Sequence, residues 1–63
     1  MNRSDINKDI NTEIRKSRFY RYQIAMEIGV TEFTFTRWFR RELTPEQKEQ
    51  VRDAIRRLKE QEA

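Results

Sequence analysis

Apolar positions along the chain fall into four stripes at helical spacing, separated by polar breaks. Ile6, Ile10 and Ile14 recur at i, i+4 and i+8, which predicts a first helix over about residues 5–17, capped by Ser4 or Asp5. Arg15 and Lys16 fall in its last turn, where cations complement the helix dipole. Ile24, Ala25 and Ile28 share one face of a second helix over about 20–28, with Tyr20 four residues before Ile24 on the same side. Phe19 is placed to plug the junction between the first two helices. Gly29 stops the second helix, because glycine takes the left-handed conformation at no steric cost. Val30 is an apolar plug in the turn that follows.

Thr31 suits the N-cap of a third helix over about 32–41. At 100° per residue, Thr31, Phe35, Trp38 and Phe39 gather on one side of it. That side is aromatic and reads as core, with Trp38 and Phe35 buried together. Phe33, Thr36, Arg37 and Arg40 gather on the opposite side, with Glu32 and Arg41 on its borders. Glu42 and Leu43 make the last connection. Thr44–Gln47, reading TPEQ, is a strong helix start: a threonine cap, proline at the first helical position, and glutamine three residues after the cap. The fourth helix runs to about Lys59 with Val51, Ala54, Ile55 and Leu58 as its stripe, and 60–63 forms a loose tail. The whole of 1–63 is expected to be one all-α, compact four-helix domain containing a helix-turn-helix.

Sixty-three residues limit the core to a small one. With neither cysteine nor histidine, a disulfide framework is excluded, a metal site is not expected, and the commonest general base is missing. No glycine-rich phosphate loop or carboxylate cluster points to an enzyme, and no cofactor is implied. No apolar run reaches membrane-spanning length and no signal-peptide pattern is present, so a cytoplasmic, soluble protein is the expectation. The net charge of +3 says little by itself. Its distribution says more: residues 15–41 carry seven basic side chains against Glu27 and Glu32, a local balance of +5. Phosphate contacts need such a local excess.

Residues 24–38, IAMEIGVTEFTFTRW, carry the spacing of a helix-turn-helix, an architecture that lays its second helix in the DNA major groove. An alanine four residues before a glycine lets the two helices cross closely. On this reading Arg37 is the candidate for bidentate contact with guanine, and Glu32 for accepting from a cytosine amine. Phe33, an aromatic on an otherwise polar face, is matched to thymine methyl groups, to a protein partner, or to ordinary surface exposure. Thr36 joins these as a base-edge candidate. Arg21, Thr34, Arg40 and Arg41 are candidates for phosphate, which fixes register without reading sequence.

The same stretch is similar to the helix-turn-helix of the lambda-repressor-like family, the Cro and repressor proteins of phages. It looks especially like short members from prophages and mobile elements of Gram-positive bacteria. The resemblance covers about residues 5–58, with motif-level specificity over 21–40. It implies a backbone-contacting role for Arg21, base contact for Glu32, Phe33 and Arg37, and packing roles for Ala25, Gly29, Val30, Phe35 and Trp38. The chain departs from that family in stopping after four helices, and in placing Glu32 and Phe33 where short polar residues are usual.

Double-stranded DNA is therefore the expected partner, bound by a small sequence-specific regulator of transcription. A single recognition helix covers few base pairs, so a homodimer on DNA is expected. Helix four offers the dimer surface unless the core takes up Val51, Ile55 and Leu58. The alternatives are a protein-interaction module on the same scaffold and an excisionase-like accessory factor for recombination.

Overall fold

The computed structural model describes residues 6–62, built from four helices: α1 (Lys8–Ser17), α2 (Arg21–Ile28), α3 (Glu32–Trp38) and α4 (Pro45–Glu62). The expected caps Ser4 and Asp5 and the terminal Ala63 lie outside the described residues. The last three helices begin or end where local chemistry favours it. Thr31 Oγ1 accepts the Thr34 N–H at 3.1 Å and caps α3. Thr44 and Gln47 form the expected reciprocal cap of α4: the Gln47 N–H donates to Thr44 Oγ1 at 3.1 Å, and the Thr44 N–H to Gln47 Oε1 at 3.0 Å. Gly29 ends α2 with φ +101°, and a Cβ placed there would meet nothing within 4 Å. Glycine is required at that position by the backbone conformation and not by crowding.

Three boundaries differ from those read along the chain. The first helix starts at Lys8, since Asn7 takes the left-handed conformation (φ 61°) and cannot continue a right-handed helix. Ile6 therefore drops out of the helical stripe and is only partly buried, while Ile10 and Ile14 remain in the core. At the other end, α3 stops at Trp38 instead of 41. The chain tightens there into successive i to i−3 bonds, from Phe39 to Thr36, Arg40 to Arg37 and Arg41 to Trp38. By contrast α4 runs past 59 to Glu62, so 60–62 are helical and not a loose tail. Gln61 Nε2 there donates to Glu27 Oε1 of α2 at 3.0 Å.

The core joins Ile10 and Ile14 of α1, Ile24 and Ala25 of α2, Phe35 of α3, Leu43, and Val51, Ala54 and Ile55 of α4. Phe19, Ile28, Val30, Trp38, Phe39 and Leu58 pack against it from partly buried positions. Helix α2 is the hub, packing on both α3 and α4, while α1 packs on α4. Phe35, fully buried, holds the aromatic side of α3, with Phe39 edge-on at 5.0 Å and Trp38 tilted at 5.8 Å between ring centroids. Trp38, expected to be buried with Phe35, keeps part of its surface in water. Tyr20 is 68% exposed: it precedes α2 as its N-cap instead of extending the Ile24 face, and stacks on Tyr22 at 5.8 Å. The apolar stripe of α4 is taken up by this core, which leaves it no free apolar face for a second copy.

Ion pairs fasten α4 to α1 and α2. Lys48 reaches Asp9 at 3.2 Å, Arg52 reaches Glu13 at 2.7 Å and Asp9 at 3.6 Å, and Arg57 reaches Glu27 at 3.7 Å. Within α4, Asp53 pairs with Arg56 rather than with Arg57 as i, i+4 spacing suggests. The hydrogen bond from Lys48 holds the Asp9 carboxyl below its usual range, and the bond to Glu13 raises the affinity of Arg52 for its proton. No helix among the described residues is long and apolar enough to cross a membrane.

Candidate nucleic-acid interface

The outer side of α3 is what remains once Phe35 has turned inward. Phe33, two residues away, must then point out, and it is 69% exposed. One turn later Arg37 lays its guanidinium 5.9 Å from the centre of the Phe33 ring. The two residues thus form one unit, a flat cation beside a flat apolar surface. Thr36 is exposed on the same side. Glu32 lies exposed in the first turn, where its charge complements the helix dipole.

Thr34 is less available than its neighbours. Its side-chain oxygen accepts from Thr31 Oγ1 at 3.0 Å, which places it inside the capping arrangement of α3, though its own hydroxyl proton stays free to donate. Thr34, Arg37 and Arg41 line one shallow groove with Trp38 and Gln47. Helix α3, the turn after it and the start of α4 therefore meet at a single concave surface. Arg40 and Arg41 are exposed and lie beyond the helix, in that turn, so the helical wheel does not set their direction.

Arg21 stands apart. One guanidinium N–H donates to Asn11 Oδ1 at 3.0 Å, and the plane lies over the Phe39 ring at 4.5 Å. This side chain ties α1, α2 and the turn after α3 together, with most of its five donors still unused. Its ring partner was not visible along the chain, because Phe39 is eighteen residues away and beyond the end of α3.

Two other residues escaped a reading by periodicity. Asn7, 97% removed from solvent, donates through Nδ2 to the Arg41 carbonyl at 2.8 Å and accepts the Leu43 N–H on Oδ1 at 2.7 Å. Leu43, placed in a connection, is a buried core residue. An apolar residue just before the Thr44 cap was the one available signal.

Electrostatics separate the arginines around α3 from those of α4, although Lys8, Arg15, Lys16, Arg18 and Lys59 are likewise without an ion pair among the described residues. Among the described residues, Arg21, Arg37, Arg40 and Arg41 form no ion pair, whereas Lys48, Arg52, Arg56 and Arg57 of α4 each do. Among the described residues there is also no group of three His, Cys, Asp or Glu side chains placed to hold a metal ion. No known protein family, curated protein or solved structure matches the chain.

Proposed function

We propose that this chain is a small sequence-specific double-stranded DNA-binding protein of the helix-turn-helix type, with α3 as its reading helix. The observation that carries the proposal is the outer side of α3 and the turn after it: Phe33, Thr36, Arg37, Arg40 and Arg41 exposed together, with the arginines free of carboxylate partners among the described residues. Unpaired guanidinium groups are what neutralising phosphates and releasing counterions requires. The Phe33–Arg37 unit suits a thymine methyl next to a guanine edge. Arg40, Arg41, Thr34 and Arg21 serve as the phosphate clamp, and Glu32 restricts which base is accepted beside Phe33. The likeness of residues 24–38 to phage repressors favours a regulator of a phage or mobile element, acting in the cytoplasm.

Sequence specificity on this scale needs two copies on one site. Since α4 has its apolar stripe in the core, the copies meet on the DNA and not through that stripe. A protein partner is the second reading, favoured by Tyr22 and Met26 standing exposed four residues apart on α2. Selection of bound duplexes from a random pool, followed by binding at several salt concentrations, separates the two. The expected result is an enriched pseudo-palindrome with half-site centres about 34–36 Å apart, and an affinity that falls with salt. A pool that stays random, with no salt-dependent binding, overturns the DNA reading.

A further inference from the structure

Asn7 does more than close a corner of the core, and its geometry points to a role in DNA binding. Its side-chain amide spans the segment between α3 and α4, holding the Arg41 carbonyl with its donor and the Leu43 N–H with its acceptor. Thr44 is held by the cap of α4, and between it and Arg41 the segment has no helical bonds of its own, so Asn7 ties down the stretch 41–43 from thirty-four and thirty-six residues away. The left-handed backbone at Asn7 aims the amide at it, and asparagine is among the few residues that adopt this conformation readily. Arg41 shares its groove with Thr34 and Arg37, the candidates on α3.

We infer that Asn7 is a positioning residue for DNA binding: the i to i−3 bonds tie Arg40 and Arg41 to α3, and Asn7 fixes the Arg41 carbonyl and the chain after it, so that the backbone carrying Arg41 is already in place when phosphate arrives. Ordering a long side chain and the loop that carries it costs free energy on binding, and a clamp in the free protein removes part of that cost. The inference rests on the DNA-binding reading above.

The test uses the full chain and a duplex chosen by the selection experiment. Asn7→Gly keeps the left-handed backbone and deletes both hydrogen bonds. Asn7→Asp keeps the acceptor for Leu43 and loses the donor to Arg41, which provides a second variant should the first not fold. Each is confirmed folded by circular dichroism at low temperature before binding is measured across a salt series. The expected result is a roughly tenfold loss of affinity and a salt slope lower by about one, as for the loss of one phosphate contact. Adding either substitution to Arg41→Ala is expected to change the slope little further, because the two act through one contact. A charge effect at position 7 would instead add to it. In the free Asn7→Gly protein the Leu43 amide should exchange faster than in the parent. Folded variants that bind with parental affinity and slope overturn the positioning role, as does unchanged Leu43 exchange. A parent chain that binds no duplex at any salt overturns the DNA reading itself, and the two failures are thus distinct.

Discussion

Arginines line both α4 and the stretch made of α3 with the turn after it, yet the fold treats the two regions oppositely. Along α4, Lys48 and Arg52 face the acids of α1, Arg57 faces Glu27 of α2, and Arg56 turns to Asp53 beside it. On α3 and the turn after it, Arg37 has the Phe33 ring for company, and Arg40 and Arg41 are exposed. Among the described residues, the same residue type is a fastener in one region and a cation without a carboxylate partner in the other. What differs is the neighbouring helix, because α4 lies along α1 and α2, which present Asp9, Glu13 and Glu27 to it. A charge count along the chain underestimates this contrast. Glu27, one of two acids set against seven basic residues in 15–41, is already engaged by Arg57 and Gln61.

The contrast is sharpest if α3 is held by its inner side alone. Phe35→Ala should then cost about 3–5 kcal/mol, a large fraction of what so small a domain has. Phe33→Ala, two residues away on the exposed side, should stay within about 0.5 kcal/mol of the parent. Trp38→Ala should fall between them, since that ring is only partly buried. Chemical denaturation of the three variants checks the order. Equal losses at Phe33 and Phe35 would mean that the outer side of α3 is structural and not spare.

A second comparison reads function directly. Replacing Arg40 and Arg41 together by Ala should lower the salt slope of DNA binding by about two and leave the melting temperature nearly unchanged. Replacing Arg52 and Arg57 should do the reverse, lowering the melting temperature while leaving the slope alone. Identical behaviour of the two pairs would remove the distinction between fastener and free cation.

The smallest effect concerns Asp9, whose carboxyl is held below its usual range by the hydrogen bond from Lys48. A depressed carboxyl stabilises the fold at pH above the unfolded value, and that stability is lost as the pH falls through the lower folded value. Asp9→Asn should therefore melt slightly below the parent at neutral pH, and the two should converge as the solution becomes strongly acidic. Because Asp9 is exposed and Lys48 only partly buried, added salt should shrink the difference. A gap that persists in strong acid would mean that Asp9 acts through something other than its charge.

The residues themselves determined much of what depends on near neighbours. Four helices, the threonine caps at 31 and 44, the glutamine that answers Thr44, and the left-handed stop at Gly29 all follow from contacts within four residues. The exposure of Phe33 and Arg37 followed in the same way, since a buried Phe35 dictates what the opposite side of one short helix must do. Tertiary structure decided the rest. The start of α1 and the path between α3 and α4 depend on Asn7, whose partners are thirty-four and thirty-six residues distant. Arg21 meets the ring of Phe39 just past the end of α3, and α4 extended to Glu62, where Gln61 meets Glu27. Helical periodicity reports which side of a helix is apolar, but not which helix will lie against the polar side. Among the described residues, the pairing of Arg52 and Arg57 across helices is set by that second fact, which exists only once the helices have packed.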